Sequence, residues 1–314
     1  MTSVETSGAP ISGAYDIMRR RIDDHRREKF RATLAGVVIF AALFALAAWW
    51  TDFGLLPVIE GLPKLGEYVS KLFSTPVAQG SAERIPILSL SHLFGDWDTK
   101  QSLLYWFYNI NTFLALLLDT VAMAVLATLL GFSVAFVLSF PAAYNLSPHG
   151  SIVWISRRFL EVLRSIPDLV FALFFVFCYG IGPLAGILAM GLHSAGALGK
   201  LFSELNENAS PRPAEGIRAV GGNWFETIRY AIVPQVLPGF LSYGLLRFEI
   251  NVRSSAIIGV VGAGGIGEEL KKVINFNRYE DISAVILLIV LLVVAIDALS
   301  GFLRQRLIRD ARVV

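Results

Sequence analysis

Six stretches of the chain are almost purely apolar: residues 33–50, 112–140, 159–180, 181–202, 232–253 and 283–303. Each reaches or comes close to the roughly 18–20 residues that a helix needs to cross about 30 Å of hydrocarbon. The pattern predicts an all-α integral membrane protein with about six transmembrane helices. The polar stretches between them carry their charge unevenly. Residues 16–31 (DIMRRRIDDHRREKFR) are strongly basic, the 141–158 connection holds Arg157 and Arg158 with no acid, and the tail has Arg304, Arg306, Arg309 and Arg312 against Asp310. Basic flanks stay on the cytoplasmic side. A six-span path puts all of these, together with the polar stretch 203–230, on one face with both termini inside.

The first apolar run ends in Trp49-Trp50 and is longer than the core of a cleaved leader, so it reads as a spanning helix. In residues 51–111 acids outnumber bases, and Trp97, Tyr105, Trp106 and Tyr108 gather near the end. Such aromatics suit the headgroup level, so the segment is expected on the outer face, partly as an interfacial helix. The organisation follows: a basic cytoplasmic segment (1–31), a first span with its outer segment (32–111), a transmembrane domain (112–303) and a basic cytoplasmic tail (304–314).

Composition agrees with the pattern. Of 314 residues 55% are hydrophobic and 17% charged, the mean hydropathy is +0.61, and a soluble domain of this length would carry more charge. The single cysteine, Cys178, lies in an apolar run and is expected to be a small buried side chain. No metal-ligand cluster or nucleophile–base pair stands out, so neither a catalytic residue nor a metal or other cofactor is assigned. Nothing points to nucleic acid; the expected surroundings are lipid.

Between the fourth and fifth runs, Glu215 is followed by Gly216, Ala219 and Gly221, with Pro234 thirteen residues beyond Gly221. A helix opening at Pro211 or Pro213 would break at Gly221-Gly222, where glycine permits backbone conformations closed to other residues. The Glu–Gly–Pro spacing resembles the "EAA" motif of ABC-importer permeases, although Gly216-Ile217 replace its two alanines. That resemblance implies a type I ABC importer permease (MetI-like) fold in a bacterial inner membrane. It makes residues 206–230 a coupling region, with Glu215, Gly216, Ala219, Gly221 and Pro234 as its marks. The partners it implies are a second copy of the permease, two cytoplasmic ABC ATPase subunits and an extracytoplasmic binding protein.

Charged residues also lie inside apolar runs. In LLRFEINVRSSAIIGVVGAGGIG, Arg247, Glu249 and Arg253 precede Ser254 and a glycine cluster, Gly262, Gly264, Gly265 and Gly267; in LRSIPDLVFALFF, Arg164 and Asp168 flank Pro167. Ionised groups in a bilayer are costly, so they pair with one another or line a pathway. Glu249 and Arg253 stand in favourable i,i+4 order. Arg164 and Asp168 are expected on one face, with Asp168 at the depth of Arg247. Both segments resemble phosphonate-importer permeases, which implies a phosphonate-binding partner and a phosphorus oxyanion as cargo. A guanidinium beside hydroxyls suits such a dianion, and Arg253 has the best case among these residues. The glycine cluster fits G-x-G-x-x-G, but too little chain follows to build a dinucleotide-binding unit. It is expected to form a tight outer loop or half-helix where two copies approach. His193, Asp119 and Asp297 receive no role. Three alternatives stay open: an ABC permease for another solute such as methionine, an ion-gradient-driven secondary transporter, and a membrane-embedded enzyme.

Overall fold

A computed structural model describes residues 11–76, 84–86, 107 and 109–311. The aromatics Trp97, Tyr105, Trp106 and Tyr108 lie outside the described residues, as do both chain ends. The chain divides into two compact units, Met1–Tyr68 and Val69–Val314.

The first unit holds α1 (Ile11–Trp50), in which the basic segment and the first apolar run form one helix, and most of the amphipathic α2 (Leu55–Leu72). In the second unit, two three-residue strands, β1 (Ser74–Pro76) and β2 (Arg84–Pro86), pair antiparallel with Ser74 opposite Pro86. Then come α3 (Ile110–Ala142), α4 (Gly150–Ser165), α5 (Asp168–Tyr179), α6 (Pro183–Glu207) and α7 (Pro211–Ala219). They are followed by α8 (Trp224–Ala263), α9 (Ile266–Asn275) and α10 (Tyr279–Ala311). Among the described residues, four helices are long and apolar enough to span a membrane, and six if the bent pairs α4–α5 and α8–α9 each count as one.

Helix α6 is the centre of the bundle, with α3 against it. Small residues permit this: a Cβ on Gly131 would meet the Gly191 carbonyl at 2.8 Å, and one on Gly196 would meet the Leu160 carbonyl of α4 at 2.8 Å. Lipid offers no hydrophobic drive between helices, so close approach over small residues is the usual solution. One end of the bundle is an aromatic core in which Phe202 and Phe240 stack at 4.0 Å between centroids, with Phe132, Phe136 and Phe140 around them. At the other end of α3, Phe113 and Leu117 pack with Ile266 of α9 and Ala284, Val285 and Leu288 of α10.

One expected feature differs. The 159–180 run is not one straight span: α4 begins at Gly150, ends before Ile166-Pro167, and α5 departs at 86°. Proline disfavours helical geometry in the residue before it, and Ile166 is extended (φ −85°, ψ 121°). Of the two forms expected of the glycine cluster, a tight loop or a half-helix, the chain takes the second. Helix α8 runs on as a π turn over Gly259–Ala263, breaks at Gly264-Gly265, and resumes as α9 at 58°. Gly262, Gly264, Gly265 and Gly267 are all buried within this chain. The Gly182 N–H donates to the Gly262 carbonyl at 3.0 Å, and the Ile266 N–H donates to Thr120 Oγ1 of α3 at 2.9 Å.

Candidate functional site: a braced lever and a polar bundle interior

Helix α7 starts on Pro211, where the missing N–H costs nothing, and closes in a Schellman motif. The Gly222 N–H donates to the Ile217 carbonyl (2.9 Å) and the Gly221 N–H to the Arg218 carbonyl (3.0 Å), with Gly221 left-handed at φ 89°. Asn223 then caps the next helix reciprocally with Glu226, at 2.9 and 2.7 Å. The result is a rigid helix–turn–helix. It is seated on the bundle by buried Ala214, Ile228, Ala231 and Ile232, which join the Phe140–Leu146–Phe240 core. Trp224 Nε1 adds a 2.7 Å hydrogen bond to the Leu146 carbonyl. Near this end, Arg157 of α4 forms an ion pair with Glu207 of α6 and donates to the Ala142 carbonyl of α3.

The outer side of the lever stays free. Glu215, Gly216, Ala219 and Gly221 are exposed, as are two apolar side chains the sequence reading left unremarked, Val220 (83%) and Phe225 (75%). Pro234 stands in the first turn of the long α-helical stretch Val233–Ile258 of α8, directly after a π segment at Thr227–Ile232. The ring cannot accept ordinary α winding four residues earlier, and the wider π turn relieves the clash.

Along α8 the charges separate into two groups. Glu249 and Arg253 pair at 2.7 Å as their spacing implies, and Arg253 Nη2 also holds both carboxylate oxygens of Asp297 on α10, each at 2.9 Å. Asp297 is therefore at the level of Arg253. Beside them a groove of about 520 Å³ is lined, apart from Arg253, by aliphatic side chains and alanine.

Arg247 has different company. Its Nε donates to Ser194 Oγ of α6 at 2.9 Å. Ser194 donates in turn to Asn251 Oδ1 (3.1 Å), Asn251 Nδ2 donates to Thr128 Oγ1 of α3 (2.9 Å), and Thr128 donates to the Ala124 carbonyl (2.7 Å). Ser194 and Asn251 are fully buried. Asp168 lies within electrostatic reach of Arg247, though no carboxylate pairs with it within 4 Å among the described residues. Arg164 and Asp168 do not share a face, because the 86° bend falls between them. His193 serves that bend: its Nδ1 lies 2.9 Å from the Ile166 carbonyl, an acceptor only, so the ring donates. Ser254 is half-buried next to Arg253. Cys178 is exposed on α5 rather than buried.

Bent apolar helices, an exterior helical lever and a half-buried Arg247 held by a buried polar chain are the features the comparisons meet. Residues 127–313 match the family model "Binding-protein-dependent transport system inner membrane component", and the chain belongs to that family. Over 258 residues it is 34% identical to the "Phosphite transport system permease protein PtxC" of Stutzerimonas stutzeri, covering 82% of this chain and 90% of that one. It is 39% identical over 190 residues to the "Phosphate-import permease protein PhnE" of Mycolicibacterium smegmatis, covering 60% and 36%. It is 46% identical over 122 residues to the "Putative cryptic phosphonate transport system permease protein PhnE2" of Escherichia coli K12, covering 39% and 100%. The fold is that of the permease in an inward-facing MetNI methionine ABC transporter: TM-score 0.55 at 19% identity, covering 63% of this chain and 97% of that one. The chain is a multi-pass inner-membrane permease subunit of the ABC-importer type.

Proposed function

We propose that this permease carries a phosphorus oxyanion (a phosphonate, phosphite or phosphate) inward, driven by a separate ATPase. The relatives' printed names, phosphite, phosphate and phosphonate, support the substrate class. The observation that carries the mechanism is the helix–turn–helix of residues 211–226, rigid on its inner side and exposed on its outer side.

Two copies of the chain work with two ATPase subunits beneath them and an extracytoplasmic binding protein above. Both termini and the 206–230 lever face the cytoplasm. Val220 and Phe225 give the ATPase an apolar purchase, with Glu215, Gly216 and Ala219 beside them. Closure of the ATPase pair pushes α7. The push passes through Ala214, Ile217 and Trp224 into the Phe140–Phe240 core, and so into α3, α6 and α8. A loosely packed loop would absorb such a displacement; close-packed side chains transmit it.

The test is uptake into vesicles containing the permease, its ATPase and the binding protein. The proposal expects ATP-dependent accumulation of phosphite, phosphate or methylphosphonate and none of methionine. Methionine uptake without any oxyanion uptake would overturn the substrate class.

A further inference from the structure

The two arginines of α8, Arg247 near its middle and Arg253 nearer its C-terminal end, differ in what they have left to offer. Arg253 is neutralised: its Nη2 serves both Glu249 and Asp297, so although its Nε and Nη1 make no hydrogen bond among the described residues, an entering dianion would meet two carboxylates and an aliphatic groove there. Arg247 is held by Nε alone, so its two Nη groups, with up to four N–H donors, make no hydrogen bond among the described residues. A spanning arginine without a paired carboxylate is costly and is seldom kept for packing.

We infer that Arg247 is the residue of this chain that contacts the oxyanion in transit, and that Arg253 is a tie between α8 and α10. This rests on the oxyanion reading above. The polar chain behind Arg247 fixes the direction of its fork. Thr128 spends its only proton on the Ala124 carbonyl, so its oxygen must accept from Asn251 Nδ2. Asn251 then meets Ser194 Oγ with both ends of its amide, Oδ1 and Nδ2 each at 3.1 Å; Oδ1 takes the Ser194 proton, and Ser194 Oγ is left to accept, from Asn251 Nδ2 and from Arg247. Three helices thus set one guanidinium, with Nε turned back into the protein and the Nη edge turned away. Two Nη groups can donate to two oxygens of a tetrahedral phosphorus group, the geometry that a lysine ammonium cannot reproduce.

Asp168, at the start of α5, accepts from the Leu169 N–H at 2.9 Å and does not occupy the Arg247 donors. A permease should hold its cargo weakly, because conduction requires release. Ser194, Asn251 and Thr128 are positioning residues; none has a free donor of its own for the anion.

The experiment uses the full complex in vesicles and reads oxyanion uptake and ATP hydrolysis together, with phosphite, phosphate and methylphosphonate as probes. Arg247→Gln should cut the uptake-to-hydrolysis ratio by about tenfold or more, the loss of one charged hydrogen-bonded contact, and Arg247→Lys by less. Ser194→Ala should lower the same ratio about threefold while hydrolysis continues, which a general packing defect would not do. The neutral triple variant Glu249→Gln, Arg253→Gln, Asp297→Asn should keep the ratio within about twofold and lose thermal stability instead. A ratio within twofold of the parent in Arg247→Gln overturns the inference, as does a triple variant that falls as far as Arg247→Gln. Should Arg247→Gln fail to reach the membrane, an unchanged ratio in Ser194→Ala overturns it. A parent complex that takes up none of the three oxyanions refutes the substrate proposal itself, whereas active parent uptake with an indifferent Arg247→Gln refutes only the role of Arg247.

Discussion

Glycines punctuate this chain in two places, and the places have opposite surroundings. At the lever, Gly216 and Gly221 face open space: a Cβ on either would meet nothing within 4 Å. At the α8–α9 break, a Cβ on Gly265 would lie 2.6 Å from Thr120 Oγ1, and one on Gly259 would lie 2.5 Å from the Gly264 carbonyl and 2.8 Å from Gly267 Cα. Gly221 (φ 89°) and Gly264 and Gly265 (φ 83° and 72°) share a left-handed backbone. The residue type solves a conformational problem in the first region, and a conformational and a packing problem in the second. The first can vary in side chain if a partner allows it. The second cannot vary without moving two helices.

Substitutions sharpen that contrast. The largest effect is expected at the break. Gly265→Val combines a forbidden backbone with a clash against α3 and should cost several kcal/mol, with little protein recovered from the membrane. Well-folded Gly265→Val protein at parental yield would break the comparison. Next come Glu215→Lys and Gly221→Asp at the lever, which should abolish ATP-coupled uptake while the permease stays in the membrane at parental amounts. Normal uptake by both would remove the coupling role. Gly221→Ala tests the backbone term alone: space is open, so a loss of about 1 kcal/mol in thermal unfolding is expected from the left-handed conformation. Smallest is Gly216→Ala, helical and unobstructed, which should raise stability by a few tenths of a kcal/mol to about 1 kcal/mol.

Where the long apolar helices fall was legible because apolar run length is a local property: among the described residues four are long enough to span, and six if the bent pairs each count as one. So were the Glu249–Arg253 pair, a matter of helical spacing, and the lever, whose prolines and glycines mark its two ends. The elbow at Pro167 was misread because the residues on both sides are apolar enough to join into one run. The signal was there: Arg157, Arg158, Glu161 and Arg164 recur at helical spacing beside Val153, Leu160 and Leu163, an amphipathic helix that stops where proline demands. The Arg253–Asp297 tie could not be read, since it depends on α8 continuing past the expected end of its span. Likewise Thr128, Ser194 and Asn251 are ordinary small polar residues until three distant helices bring them together. Depth along a helix and contact between helices are tertiary quantities, and one sequence sets them without displaying them.

The most direct test pairs a cysteine at Gly216 with cysteines on the docking face of the ATPase, in a background with Cys178→Ser, while oxyanion uptake is followed in the same vesicles. Cross-linking that requires the assembled complex and stops uptake is the expected result. Labelling of the Gly216→Cys thiol by an impermeant reagent from the outer face, or full uptake with no ATP hydrolysed, would contradict it.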